Sequence, residues 1–231
     1  MDGNGRWAQA HGLPRVAGHQ AGLQAVRRTV AAASELGVRV LTLYTFSTEN
    51  WHRPGHEVAF LLRLAEDYCV AELPELQRNG ISLRLMGRRE GLPDSFLNAM
   101  DHAASQTQHN DRMILTLAFN YGGRAEIVDS VRAIVAARRR GEQLDPAALD
   151  ESTFSRYLYC PDLPDADLII RTAGECRLSN FLLWRAVGSV FWSTPTPWPE
   201  FQREHLLEAI QVYRERSGEK PCPNVNTKQS S

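Results

Sequence analysis

The sequence predicts an α/β fold in which a largely parallel sheet is covered by helices on both faces. Three observations lead there. Short β-branched apolar runs alternate with longer amphipathic stretches. The runs carry no consistent polar face, as expected of strands buried on both sides. The chain has 231 residues, 43% of them apolar, enough to bury one substantial core as a single domain. Strand and helix in alternation imply right-handed crossovers and neighbouring parallel strands.

Taken in order, the chain opens on "MDGNGRWA", a cluster of glycine, carboxylate, guanidinium and indole ahead of any apolar element. Apolar periodicity then predicts a helix over 17–36, a strand over 38–46 and a helix over 57–78. His52 and His56 have the spacing of two helical metal ligands, but Pro54 and Gly55 between them mark a helix start instead. A strand over 81–86, a helix over 93–108, a strand over 113–119 and a helix over 123–140 follow. The last elements are a strand over 166–171 and a helix over 200–216. Residues 218–231 are polar, contain Pro221 and Pro223, and read as a tail of low order after a domain spanning 1–217.

Composition narrows the function classes. Formal net charge is −1 and the pI about 6.7, so bulk attraction to nucleic acid or an anionic membrane is not expected. No apolar run is long enough to span a bilayer, and no export signal is apparent, so the expectation is a soluble, cytoplasmic protein. Cys69, Cys160, Cys176 and Cys222 form no CxxC pair, which argues against a zinc site or disulfide framework and fits a reducing compartment. Lys220 and Lys228 are the only lysines, so the positive charge is nearly all arginine, the better bidentate ligand for phosphate.

In parallel sheets, ligands gather where strands end and helices begin. Three strand exits here are rich in hydroxyl, amide, glycine or arginine: "FSTENWHRP", "NYGGR" and "RTAGECRLSNF". Gly3 and Gly5 allow a tight turn whose N–H groups face an anion, with Arg6 adding charge. Asp2 beside them would repel a phosphate unless a divalent cation lay between, a bridging role magnesium commonly takes. The loop is neither a Walker A motif nor a GxGxxG fingerprint, which disfavours a nucleotide-binding module. Arg171 and Arg177, with Ser179, offer a second anion site. Two anion sites beside apolar helices suggest substrates with phosphate heads and hydrocarbon bodies, for which "VAFLLRLAEDYCVAEL" (58–73) supplies a wall.

In order and spacing, "MDGNGRWA", "GLPRVAGHQAG", "LTLYTFSTENWHRP", "NYGGR" and "RTAGECRLSNFLLW" through "WPEF" resemble the signature blocks of cis-prenyltransferases, the undecaprenyl diphosphate synthase family, over residues 1 to about 218. The resemblance implies a largely parallel six-stranded sheet with a hydrophobic tunnel, and a homodimer that touches the membrane peripherally when products are long. It implies magnesium-dependent condensation of isopentenyl diphosphate with an allylic diphosphate, each new double bond cis. By position, Asp2 would hold magnesium on the allylic diphosphate, whose other contacts would be Gly3, Asn4, Gly5, Arg6, Arg15 and His19, with Trp7 in the same block. Ser47, Thr48, Glu49, Asn50, Trp51 and Arg53 match the loop that orders over the substrates, Asn50 at the position of proton removal. Arg171, Arg177, Leu178 and Ser179 match the isopentenyl diphosphate site.

The chain also departs from the family pattern. Val190 stands where the family carries a glutamate that assists magnesium on isopentenyl diphosphate, and Cys176 where a histidine or other polar residue is common. These changes raise an alternative, head-to-middle coupling of allylic units as in lavandulyl-type relatives, or cyclisation of one allylic substrate, with Glu175 a compensating carboxylate in the standard reaction. "YRERSGEK" keeps only part of the family's arginine-rich ending, and Thr45 occupies a tunnel position that is often alanine, which favours a shorter product. The intact opening cluster disfavours a non-catalytic regulatory subunit. The family's apolar strand ahead of "MDGNGRWA" has no counterpart in this sequence, and a sheet without it would expose unpaired edges.

Overall fold

A computed structural model describes residues 1–142 and 145–218. The predicted tail therefore lies, from residue 219 onward, outside the described residues. Strands β1 (Val40–Ser47), β2 (Ile81–Met86) and β3 (Met113–Tyr121) form a parallel sheet in the order β1-β3-β2. Central β3 is buried along nearly its whole length, which is why its sequence shows no alternation. Pairing starts at Val40 with Ile114 and Ile81 with Met113, and slips between Tyr44 and Ser47, so β1 is irregular where it leaves the sheet.

Aromatic packing fixes this sheet under its exits. Phe46 stacks on Phe119 at 5.2 Å between ring centroids, and Phe119 meets Phe96 of α4 (Asp94–Thr107) at 4.6 Å. All three are fully buried. Burying each stabilises the fold by roughly 2–3 kcal/mol, comparable to a sizeable part of a domain's net stability. Helix α3 (Gly55–Arg78) begins after Pro54 as the sequence predicts and packs against α4. Helix α5 (Gly123–Arg139) follows β3, and α6 (Glu151–Ser155) is capped by the Asp150 side chain, which accepts from the Thr153 N–H.

The amino-terminal cluster is itself helical, an element the sequence reading did not assign. Gly3, at φ 98°, caps α1 (Asn4–Ala10). Helix α1 lies directly on α2 (Arg15–Glu35), where Gly18 and Gly22 admit the close approach: a Cβ on Gly18 would stand 2.0 Å from the Asn4 carbonyl oxygen, and one on Gly22 2.5 Å from Asn4 Oδ1. Trp198 closes the other side, its indole N–H donating to the Gly22 carbonyl and its backbone N–H to that of Asp2.

The second sheet differs from expectation. β4 (Leu168–Arg171) pairs in parallel with β5 (Val190–Ser193), a strand the periodicity did not reveal. The described residues thus form five strands in two groups, all parallel, in place of one six-stranded sheet. The outer edges of β1 and β4 have no strand partner among the described residues. They bound a cavity of about 1000 Å³ lined continuously by residues 36–45 and 163–172. The two groups are joined at the strand exits instead, where the Asp2 N–H donates to Thr172 Oγ1 (2.9 Å) and the Thr172 hydroxyl to the Asp2 carbonyl (3.0 Å). Helix α7 (Arg203–Ser217) packs across β4, β5 and α2. No helix among the described residues is long and apolar enough to cross a membrane.

Candidate active site

All three polar strand exits and the amino-terminal cluster meet at one end of the sheets. Asn180, not singled out in the sequence, ties them together. Its Nδ2 donates to Glu49 Oε1 (2.8 Å) beyond β1, its Oδ1 accepts from the Arg124 N–H (2.8 Å) beyond β3, and its carbonyl accepts from the Gly123 N–H (2.7 Å). Gly122 leaves room for these side chains, since a Cβ would fall 2.6 Å from Thr48 Oγ1 and 2.7 Å from Asn180 Nδ2 and displace both. Burial opposes ionisation of Glu49, but the bonds from Asn180, its own backbone, Ser47 and Thr48 outweigh it and hold the carboxyl below its ordinary pKa.

After β1, a 3-10 turn over Thr48–His52 is closed by reciprocal caps. Ser47 accepts from the Asn50 backbone, and Asn50 Oδ1 from the Ser47 N–H at 3.0 Å. Asn50 is therefore held in place with its amide oxygen engaged on one side. The turn directs Arg53 back toward α2. There Glu57, in the first turn of α3, meets two guanidinium groups and an imidazole: Arg53 Nη1 at 2.8 Å, Arg15 Nη2 at 3.6 Å and His19 Nε2 at 3.5 Å. The Arg15 guanidinium also covers Gly5, whose Cβ would stand 3.2 Å from it. Sequence reasoning missed Glu57 because a glutamate in a helix's first turn reads as an ordinary response to the helix dipole.

After β4, Arg171 donates through Nε to Asp2 Oδ2 (2.9 Å), and through Nη1 to Ser179 Oγ (2.7 Å) and the Arg177 carbonyl. Glu175 bridges Arg177 (3.0 Å) and Arg6 (3.5 Å). The two anion sites expected from sequence are thus one continuous polar wall, joined at Asp2–Arg171 and at Glu175. Its loop carries stored strain: Ala173, Ser179, Asn180 and Leu182 all adopt positive φ without being glycine. Cys176 is exposed, its sulfur 3.3 Å from Ser193 Oγ.

The wall opens on the apolar cavity. Asp2, Asn4, His19, Ser47, Glu49, Asn50, Arg53, Arg171, Arg177, Leu178 and Ser179 all line it, together with Leu61, Leu64, Ala65 and Tyr68 of α3 and Thr45 of β1. These four α3 side chains come from the 58–73 segment expected to wall a hydrocarbon body. Thr45 donates its hydroxyl to the Leu43 carbonyl, which removes much of its polarity from the lining.

Gly3, Gly5, Arg6, Arg15 and Thr48 belong to the wall without lining the cavity, and two tryptophans and one valine stand elsewhere. Trp7 donates to Glu200 Oε1 (2.8 Å) and packs at a tilt against His11, Trp51 donates to Asn120 Oδ1 (2.7 Å), and neither indole lines the cavity. Val190 pairs with Leu168 at the start of β5, whereas Arg171 pairs with Ser193 at its end. The three-residue offset is roughly 10 Å along a strand, so within this chain Val190 stands apart from the Arg171 cluster.

Residues fit magnesium only as a shared ion. No group of three or more metal-ligating side chains occurs among the described residues. Asp2 has one oxygen on Arg171, and its side chain is 43% exposed. A single exposed carboxylate suits a magnesium ion that keeps waters and takes its remaining ligands from a diphosphate.

A family model described as putative undecaprenyl diphosphate synthase matches residues 1–220. The chain is 47% identical over 216 residues to an isoprenyl transferase of Bacillus subtilis, covering 94% of this chain and 83% of that one. It is 47% identical to an isoprenyl transferase of Thermotoga maritima, covering 94% and 91%. Among solved structures it is similar to lavandulyl diphosphate synthase from Lavandula x intermedia in complex with dimethylallyl diphosphate (TM-score 0.88, 37% identity, 93% and 92% covered). A probable undecaprenyl diphosphate synthase from Campylobacter jejuni is also similar (TM-score 0.75, 27% identity, 85% and 90% covered).

Proposed function

Because this chain belongs to the undecaprenyl diphosphate synthase family and is a prenyltransferase, we propose that it condenses isopentenyl diphosphate with an allylic diphosphate to a Z-prenyl diphosphate, with magnesium. One observation carries the reading: a single polar wall with two cationic clusters, joined through Asp2 and Arg171, stands at an apolar cavity. Gly3, Asn4, Gly5, Arg6, Arg15, His19 and Arg53 would bind the allylic diphosphate, and Arg171, Arg177 and Ser179 the isopentenyl diphosphate. Asp2 would hold the magnesium ion. Magnesium when bound neutralises charge building on the departing diphosphate.

The chain's residues do the rest by placement. Arginines on both sides of Asp2 stabilise the leaving diphosphate as the allylic C–O bond breaks and its electron pair leaves with oxygen. The alkene of isopentenyl diphosphate then forms the new bond to the allylic carbon. An apolar lining keeps water from the cationic carbon. The last proton is acidic enough that a weak base suffices, a role that would fall to Asn50, which the Ser47 cap holds at the cavity, or to a diphosphate oxygen. Trp7 and Trp51 serve by bracing α1 and the 3-10 turn from outside the cavity.

A second copy of the chain fits α5, which presents Val128, Val131 and Val135 to solvent at helical spacing. Cys69, Cys160 and Cys176 are free thiols, which supports a reducing, cytoplasmic setting.

Lavandulyl-type coupling is the second reading. Its support is the structural similarity to lavandulyl diphosphate synthase and the absence of a carboxylate at Val190. Release of inorganic diphosphate separates the readings. The main reading expects release only when an allylic diphosphate, isopentenyl diphosphate and magnesium are all present, and none with chelator. Release from dimethylallyl diphosphate alone at a comparable rate would overturn it in favour of coupling or cyclisation.

A further inference from the structure

Glu57 is 7% exposed, and a buried carboxylate is costly unless paired. Its partners come from separate places: Arg15 at the start of α2, His19 one turn on, and Arg53 from the segment before α3. Burial opposes ionisation of Glu57, but the hydrogen bond and charge of Arg53, the charge of Arg15 and the contact with the His19 ring outweigh it, and its carboxyl is held below the ordinary range. Burial and the charges of Arg53 and Arg15 push His19 the other way, below its ordinary value despite Glu57, so its ring is neutral near pH 7. Its buried Nε2 has no hydrogen-bond partner in good geometry. His19 and Arg53 line the cavity, whereas Glu57 does not. It can act on a ligand only through them.

We propose that Glu57 is a positioning residue, the internal counter-ion of this cationic wall, which holds Arg15, His19 and Arg53 in place and competes with an incoming diphosphate for the charge of the two arginines. The inference rests on the reading of this wall as the allylic diphosphate site. A counter-ion of this kind sets diphosphate affinity low enough for the product to leave. Charge and shape are separable here, because Glu57→Gln keeps an oxygen for the Arg53 N–H while removing the negative charge. One unit of charge a few ångströms from a multivalent anion changes affinity by about tenfold or more.

Calorimetric titration of the whole chain with inorganic diphosphate tests this, alongside KM and kcat for the allylic substrate. Glu57→Gln is expected to bind diphosphate about tenfold tighter, with KM and kcat both lowered because release slows. Glu57→Asp, which keeps the charge, is expected to stay within about twofold of the wild-type affinity. Unchanged or weaker binding by a folded Glu57→Gln overturns the proposal while leaving the site assignment intact. Should Glu57→Gln not fold, tenfold tighter binding by Glu57→Asp overturns it, since charge would then not be the determinant. A wild-type chain that binds no diphosphate, with Arg15→Ala and Arg53→Ala indistinguishable from it, overturns the reading of the wall and the proposal with it.

Discussion

Replacing Asp2 by alanine is expected to lower kcat by about 10³-fold, the scale on which loss of one preorganised charge-stabilising group is felt in a water-poor site. Two losses combine. The wall loses the carboxylate proposed to hold magnesium against the diphosphate, and Arg171 loses the partner that fixes its Nε at 2.9 Å. Asp2→Asn should lie close to Asp2→Ala, since it preserves shape but not charge. The fold should be indifferent, because the ties from residue 2 to Thr172 and Trp198 run through its backbone N–H and carbonyl. Steady-state kinetics beside a melting curve check both halves. Activity within tenfold of wild type would remove Asp2 from the centre of the site.

Gly18→Ala should cost both stability and substrate affinity. The new Cβ would lie 2.0 Å from the Asn4 carbonyl oxygen and 2.7 Å from its carbon, and backbone atoms cannot rotate away as a flexible side chain can. Helix α1 must shift by on the order of 1 Å, at an overpacking cost of about 1–3 kcal/mol that exceeds the roughly 0.5–1 kcal/mol gained from alanine in a helix. A fall in Tm of a few degrees, about 2–4 °C per kcal/mol at this chain length, is expected. Because α1 carries Asn4, Gly5 and Arg6, KM for the allylic substrate should rise while KM for isopentenyl diphosphate changes little. Gly55→Ala is the control, since nothing stands within 4 Å of its Cβ position and its φ is not in the left-handed region. Equal behaviour of the two variants would show that the α1–α2 approach is not tight.

Elements with their own periodicity were legible in the sequence. β2 lies at 81–86 as expected, and the helices over 17–36, 57–78 and 123–140 agree with α2, α3 and α5 to within two residues. Each buries a face or run that its own residues define. α1 and β5 were not legible, for opposite reasons. The seven residues of α1, with one glycine and no apolar periodicity of their own, pack as a helix where α2 has glycines to receive them, and the four residues of β5 acquire strand geometry by pairing with β4. Division of the strands into two groups was legible in part, because a sheet without the family's apolar strand ahead of "MDGNGRWA" is expected to leave unpaired edges, as those of β1 and β4 are among the described residues.

The polar strand exits announced the site because hydroxyl, amide and arginine residues at the end of an apolar strand have no packing role there. Asn180 and Glu57 escaped notice because each works through long-range contacts, Asn180 across the three exits and Glu57 across two helices. Resemblance groups Trp7 and Trp51 with the substrate-binding residues, and the structure adds partners for their indole N–H groups, Glu200 and Asn120, that the motifs alone do not show.

The most direct measurement is the structure of the product formed from farnesyl diphosphate, isopentenyl diphosphate and magnesium, resolved by mass spectrometry and by NMR of the newest double bond. A linear diphosphate extended by five-carbon units, each new double bond Z, is the predicted result. A branched or cyclic skeleton, or a new double bond in the E configuration, would contradict the account.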